Sequence, residues 1–277
     1  IVNAGCRVQP DAPCVELGAA PGGCITEGNA VPDAEALFRD GENLGARLAT
    51  EADYLVLGES VPGGTTTALA LLLALGVAAD GRVSSSLVEN AHTLKSSVAR
   101  QALAQLRANA SSDPLAAVAV LGDPMQPAAA GIAAGAISHG CPVLLAGGTQ
   151  MIAVLALLQR LTPSRLEGEG GGEGATISAP MVAVATTRWV VDDPLSDATG
   201  LIAELGSFPL LATALSFADA RYQLLRRYED FLVKEGVGAG GAAVAAALAA
   251  DIAPEQIAAQ VEDLYTDILS STASVSR

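Results

Sequence analysis

The chain has 277 residues, 51% of them hydrophobic but only 3% aromatic, and a net charge of −15. That length supports a full hydrophobic core, built here from Ala, Leu and Val, while the acidity excludes nucleic acid and anionic membranes, which attract basic surfaces. An anionic small molecule has to be held by local backbone amides and helix ends, because the overall field repels it. The longest apolar run, Ala68 to Ala79, is about half of what a bilayer span needs. The chain opens Ile1-Val2-Asn3-Ala4-Gly5 with neither a secretory signal nor an initiator Met, so a missing N-terminal piece is expected. Cys6, Cys14, Cys24 and Cys141 form no C-x-x-C pair and read as reduced thiols of a cytoplasmic protein. Only His92 and His139 are available to complete a metal site around them, and none is expected.

Residues 1–50 are turn-rich, with Pro10, Pro13, Pro21 and Pro32, and lead into a first helix near 34–50. Short apolar runs then alternate with longer helical patterns. Strands are predicted at 54–58, 117–122, 142–146, 181–186 and 209–214. Helices are predicted at 67–76, 87–109, 128–138, 150–161, 198–205, 218–228, 242–250 and 254–270. This alternation indicates an α/β fold, a mostly parallel doubly wound sheet with helices on both faces and a small helical or irregular lobe. The expected division is an irregular N-terminal segment with the first helix (1–50), an α/β nucleotide-binding catalytic domain (51–250) and a C-terminal helix and tail (251–277). Residues 167–174, charged and glycine-rich, read as a flexible surface loop.

In parallel α/β sheets ligands collect beyond the carboxyl ends of the strands. The segments that follow the predicted strands are rich in small and hydroxylic residues. They are Glu59 with Gly63-Gly64-Thr65-Thr66, then Gly122-Asp123, Gly147-Gly148, Thr186-Thr187 and Ser216. A last turn, Lys234-Glu235-Gly236-Val237-Gly238-Ala239-Gly240-Gly241, sets one carboxylate at the mouth of a glycine-rich helix start. Any one such turn is explained by ordinary capping and turn chemistry. Six together favour a nucleotide lying across the sheet edge, with Glu235 placed as a general base.

Two partial motifs need separating from this reading. Gly63-Gly64-Thr65-Thr66 sits where a P-loop would, yet the lysine of G-x-x-x-x-G-K-[ST] is absent, so a monophosphate fits better than a triphosphate. Gly236-x-Gly238-x-x-Gly241 matches the dinucleotide fingerprint in form, but that motif needs a following strand and an acid about 20 residues on. An NAD-dependent oxidoreductase therefore stays an alternative, to be favoured by a βαβ unit after those glycines.

At these residues the chain resembles the nicotinate-nucleotide–dimethylbenzimidazole phosphoribosyltransferases, most closely their archaeal and cyanobacterial branch. Gly58-Glu59 through Thr66 is similar to that family's G-E-M-G-I-G-N-T-T turn. Gly122-Asp123-Pro124-Met125 resembles its G-G-x-E segment, and Glu235 through Ala242 its G-E-G-T-G-A-A helix start. The resemblance implies a homodimer without cofactor that moves phosphoribosyl from nicotinate mononucleotide to a heterocyclic base. It also implies Glu235 as general base and a secondary acidic role for Glu59. Two departures stand out. Ala146-Gly147-Gly148 replaces the D-G-F of the better-known members, and their N-terminal base-pocket region has no visible counterpart. A non-catalytic nucleotide-binding protein is the further alternative.

Overall fold

The computed structural model describes residues 1–18, 20–85, 91–109, 112–165 and 181–275. Two short strands, β1 (Val2–Asn3) and β2 (Val15–Glu16), pair in parallel at the start of the turn-rich segment. Then come α1 (Ala34–Leu48), β3 (Leu55–Gly58), α2 (Gly64–Ala74), α3 (His92–Asn109), α4 (Pro114–Leu121) and α5 (Met125–Ser138). The chain continues through β4 (Val143–Ala146), α6 (Thr149–Arg165), β5 (Val182–Thr187), α7 (Arg188–Val191), α8 (Ala198–Leu205) and β6 (Leu210–Thr213). A short α9 (Gln223–Arg226) precedes a π-helical turn (Val237–Ala242) that runs straight into α10 (Ala243–Ala250), and α11 (Pro254–Val275) ends the described chain.

The fold is α/β. Strands β3, β4, β5 and β6 lie side by side in that order, all parallel. Alternation along each strand divides the core between the two faces. Val143, Leu145, Val182 and Val184 pack with α2, α5 and α6 in the main cluster. Leu144 and Ala185 point the other way, against Val244 of α10. A third cluster, Trp189, Leu215, Phe217, Ala220 and Leu225, gathers the irregular segment around α9 against Ile257, Ala258 and Val261 of α11.

Helices α1 and α5 interlock through glycines. A Cβ on Gly45 would overlap the Ile132 carbonyl oxygen, and one on Gly131 that of Phe38. The paired G-x-x-x-G spacings, Gly41/Gly45 and Gly131/Gly135, let the two backbones touch.

Several predicted elements differ from the observed ones. The strand expected at 117–122 is helix α4. Its start carries Pro114 at the first turn and an Asp113 cap that accepts the Leu115 N–H at 3.1 Å. The run is apolar on all sides and buried, so it has no period to distinguish helix from strand. Gly122-Asp123 thus follows a helix, not a strand. The helix expected at 218–228 shrinks to Gln223–Arg226, and the aromatic cluster holds the flanking residues. The helix expected at 67–76 begins at Gly64, three residues early, which places Thr65 and Thr66 inside its first turn. The predicted helix 87–109 is described from His92 onward. The loop at 167–174 lies outside the described residues.

Candidate active site at the carboxyl edge of the sheet

Strand register sets three small residues side by side at the carboxyl edge, with Gly58 opposite Ala146 and Ala146 opposite Ala185. This leaves room for the glycine-rich segment to lie directly on the strands, and the π-helical turn touches all four. A Cβ on Gly241 would overlap that of Ala146, and one on Gly58 would overlap Val237 Cγ1. At Gly240 it would reach within 2.6 Å of the Thr186 carbonyl carbon. At Gly236 it would lie 3.0 Å from Thr186 Oγ1 and 3.1 Å from the backbone of Gly147 and Gly148. Glycine is required here for close approach.

Three carboxylates from distant parts of the chain lie near enough at this edge for Glu59 to feel the other two electrostatically. Burial pushes the half-buried Glu59 carboxyl above its ordinary range, against the pull of its bond from the Val61 N–H at 2.8 Å. Repulsion from Asp123 and Glu235 adds to the rise. Asp123 is 7% exposed and is likewise pushed up by burial. It accepts the Thr67 hydroxyl at 2.6 Å and the Met125 N–H at 3.0 Å. The first glycine/threonine turn and the Asp123 turn are thereby one unit.

Glu235 is engaged by its own backbone. Its Oε1 accepts the N–H groups of Val237 (2.7 Å) and Gly238 (2.9 Å), and its Oε2 that of Ala239 (2.6 Å). The carboxylate therefore fills the amide cradle that the glycine-rich helix start presents. As the structure stands, an incoming anion and the Glu235 side chain compete for these donors.

The remaining predicted residues fall around this centre. Gly63 caps α2 with φ 72°, a left-handed conformation that favours glycine. Gly64 is buried against Gln150, whose Nε2 would lie 2.6 Å from a Cβ there, so the first turn touches the start of α6. Thr65 and Thr66 are half-buried. Gly147 takes φ 154° and donates its N–H to the Ala185 carbonyl at 2.9 Å. Gly148 lies close to Val190. Thr186 and Thr187 are fully buried, and neither hydroxyl has a hydrogen-bond partner among the described residues. Buried hydroxyls in that state are rare and call for an explanation. Gly122 packs on Gln126. Ser216 is bonded elsewhere, to Glu229 at 3.1 Å, and joins the Arg188–Glu229 ion pair rather than the carboxylate group.

Sequence reading did not single out a buried charged seam beside these strand ends. Lys234 donates to Asp193 Oδ2 at 2.7 Å, with the two side chains 2% and 1% exposed. Burial, joined by repulsion from Lys234 and partly offset by Asp193, holds the Lys95 ammonium down to about 8. Lys95 donates to the Ser84 carbonyl at 2.8 Å, and the Ser84 N–H donates to Thr149 Oγ1 at 3.0 Å. A signal existed: these are the chain's two lysines, against thirteen arginines.

The residues after Gly241 form α10 and α11 and no strand among those described. Among the described residues helices stand where the βαβ unit of an NAD-binding reading would place its strand, and that alternative is withdrawn. Among the described residues no His, Cys, Asp and Glu group is arranged to hold a metal, and no helix is long and apolar enough to cross a membrane.

Residues 2–167 match the model of a family described as "Phosphoribosyltransferase". The chain belongs to this phosphoribosyltransferase family. Its relatives come from cyanobacteria and archaea. It is 49% identical over 251 residues to the UPF0284 protein of Gloeobacter violaceus, covering 90% of this chain and 64% of that one. To the UPF0284 protein of Microcystis aeruginosa it is 41% identical over 95% of this chain and 71% of the relative. For that of Methanocaldococcus jannaschii the figures are 38%, 95% and 71%. The chain thus spans about two thirds of its relatives' length. Its fold is similar to that of the nicotinate-nucleotide-dimethylbenzimidazole phosphoribosyltransferase from Thermus thermophilus, with a TM-score of 0.52 and 23% identity. That match covers 82% of this chain and 66% of the other.

Proposed function

We propose that the protein transfers phosphoribosyl from nicotinate mononucleotide to a nitrogen-heterocycle base of the dimethylbenzimidazole type. The products are an α-ribotide, serving as the lower ligand of cobalamin, and nicotinate. The observation that carries this reading is the meeting of Glu59, Asp123 and Glu235 at a glycine-lined sheet edge with the unpartnered hydroxyls of Thr186 and Thr187. The family membership and the shared fold support it.

In this reaction the C1′–N bond to the pyridinium breaks and nicotinate leaves as a stable aromatic acid. The incoming ring nitrogen forms the new bond to C1′ from the opposite face. The leaving group is not pyrophosphate, so its departure needs no metal clamp, and no cofactor takes part. Glu235 accepts the N–H proton of the base, a step worth about 10²–10⁴ in rate. Gly63-Gly64-Thr65-Thr66 with Gly122-Asp123 and Gly147-Gly148 hold the ribose phosphate. Thr186 and Thr187 supply hydroxyl donors, and Gly236-Gly238 close the far side. Holding both rings in attack geometry contributes as much as proton transfer. In this reading 51–250 is the catalytic unit of a cytoplasmic homodimer.

The test is calorimetric titration with nicotinate mononucleotide, followed by dimethylbenzimidazole or adenine and measurement of released nicotinate. Binding with release is expected, and no binding would sink the reading. Binding without release would favour a nucleotide-binding protein. That second reading draws on the capped Glu235 and on Ala146 standing where a carboxylate is expected.

A further inference from the structure

The residue before Glu235 carries one of the most deeply buried charges in the molecule. The Lys234 and Asp193 side chains, 2% and 1% exposed, meet at 2.7 Å. Asp193 is itself held by the Leu195 N–H on Oδ1 at 3.0 Å. Such a pair is a poor device for stability, because desolvation offsets most of the attraction, and apolar residues of similar volume often do as well. Its location suggests another role. The segment between α9 and the π-helical turn has no regular structure, Phe231 within it takes φ 56°, and Val233 is exposed. Gly236 has no side chain to fix it. The buried Lys234 side chain reaches across this segment to the connection that follows β5 and α7, the same strand that ends in Thr186 and Thr187.

The anchor extends to the neighbouring strand. Lys95 is electrostatically coupled to both Lys234 and Asp193 and bonds the Ser84 carbonyl. Ser84 in turn bonds Thr149, the first residue of α6 after β4. Lys95 is thus bonded toward the start of α6 after β4, and Lys234 to the connection after β5, with Lys95 near enough to feel both charges of the pair.

The geometry points to the Lys234–Asp193 ion pair as a positioning element that holds the Glu235 carboxylate in register with the amides of Val237, Gly238 and Ala239 and with the strand ends. Lys234 and Asp193 touch no reacting atom and act through Glu235. The catalytic part of this inference rests on the reading of Glu235 as the proton acceptor. The structural part does not.

The experiment compares wild type with the double variant Lys234→Met/Asp193→Leu, which replaces the pair by apolar side chains. Its readouts are the melting temperature, amide hydrogen exchange, and steady-state transfer from nicotinate mononucleotide to dimethylbenzimidazole. The double variant is expected to melt within about 5 °C of wild type. Exchange at Val237, Gly238 and Ala239 is expected to quicken about tenfold or more, because their carboxylate acceptor is no longer fixed. The kcat is expected to fall about tenfold or more, with KM for the nucleotide changed less than about threefold. Asp193→Asn keeps the shape and serves if the double variant does not fold. Its exchange at the same three amides is expected to quicken about threefold. A folded variant with wild-type exchange at 237–239 overturns the inference. If the wild type binds but transfers nothing, the proposed function fails, while the exchange result still decides the anchor.

Discussion

Gly241 lies with its bare Cα against the side chain of Ala146, so close that a Cβ on the glycine would overlap the alanine methyl. This contact explains why alanine stands where the better-known members have an aspartate. A larger side chain at 146 would push the glycine-rich turn off the sheet. Ala146→Asp is therefore expected to bring no useful carboxylate. It should destabilise the protein by about 1–3 kcal/mol, through overpacking and a buried charge. Urea denaturation measures this, and an unchanged midpoint with higher activity would show that the turn has room to spare.

Glu235→Gln retains the size of the side chain but presents one N–H₂ group where an acceptor was used. At best it keeps two of the three amide bonds now made by Val237, Gly238 and Ala239. The kcat of transfer is expected to drop about 10²–10⁴-fold, with nucleotide affinity within a few-fold of wild type. Full turnover in this variant would remove Glu235 from the chemistry.

Lys95 gives the stability a pH signature. Burial holds its ammonium down from 10.5 to about 8, with Lys234 acting in the same direction. Between those values the unfolded chain binds more protons than the folded one, so stability rises with pH across that window. The gain is complete above 10.5 and is lost as pH falls through about 8. Lys95→Met removes this dependence. Melting curves at about pH 7 and about pH 10 should show the variant losing ground to wild type as pH rises. A constant gap would mean that the lysine titrates at its ordinary value.

The interlocked glycines of α1 and α5 predict a cost for the smallest possible addition. Gly45→Ala puts a methyl onto the Ile132 carbonyl oxygen and is expected to destabilise by about 1–3 kcal/mol, despite alanine's better helix propensity. Chemical denaturation checks the sign. A stabilised variant would show that the two helices separate easily.

Much of the architecture was legible in the chain. Strands β3, β4, β5 and β6 and helices α1, α5, α6, α8, α10 and α11 appear where apolar runs, caps and breakers place them. Helix α4 was not legible as a helix, because Pro114–Leu121 is apolar on every side and its burial on all faces removes the period that would identify it. The acids Glu59, Asp123 and Glu235 were each visible beside glycine-rich turns. Their convergence was not, because it depends on strand register and on the Thr67–Asp123 bond that ties the α4–α5 turn to the start of α2. The seam of Lys95, Lys234 and Asp193 was hidden for the same reason, since no sequence spacing relates its members.

Local chemistry in the sequence determined the α/β class, the glycine-rich turns and which carboxylates stand beside them, because propensity, capping and turn preference act over a few residues. Only the tertiary structure decided that Glu235 caps its own helix start, that Ala146 must stay small, and that both lysines are buried beside the strand ends. Those outcomes depend on close packing and desolvation between segments far apart in the chain, which the sequence alone does not order.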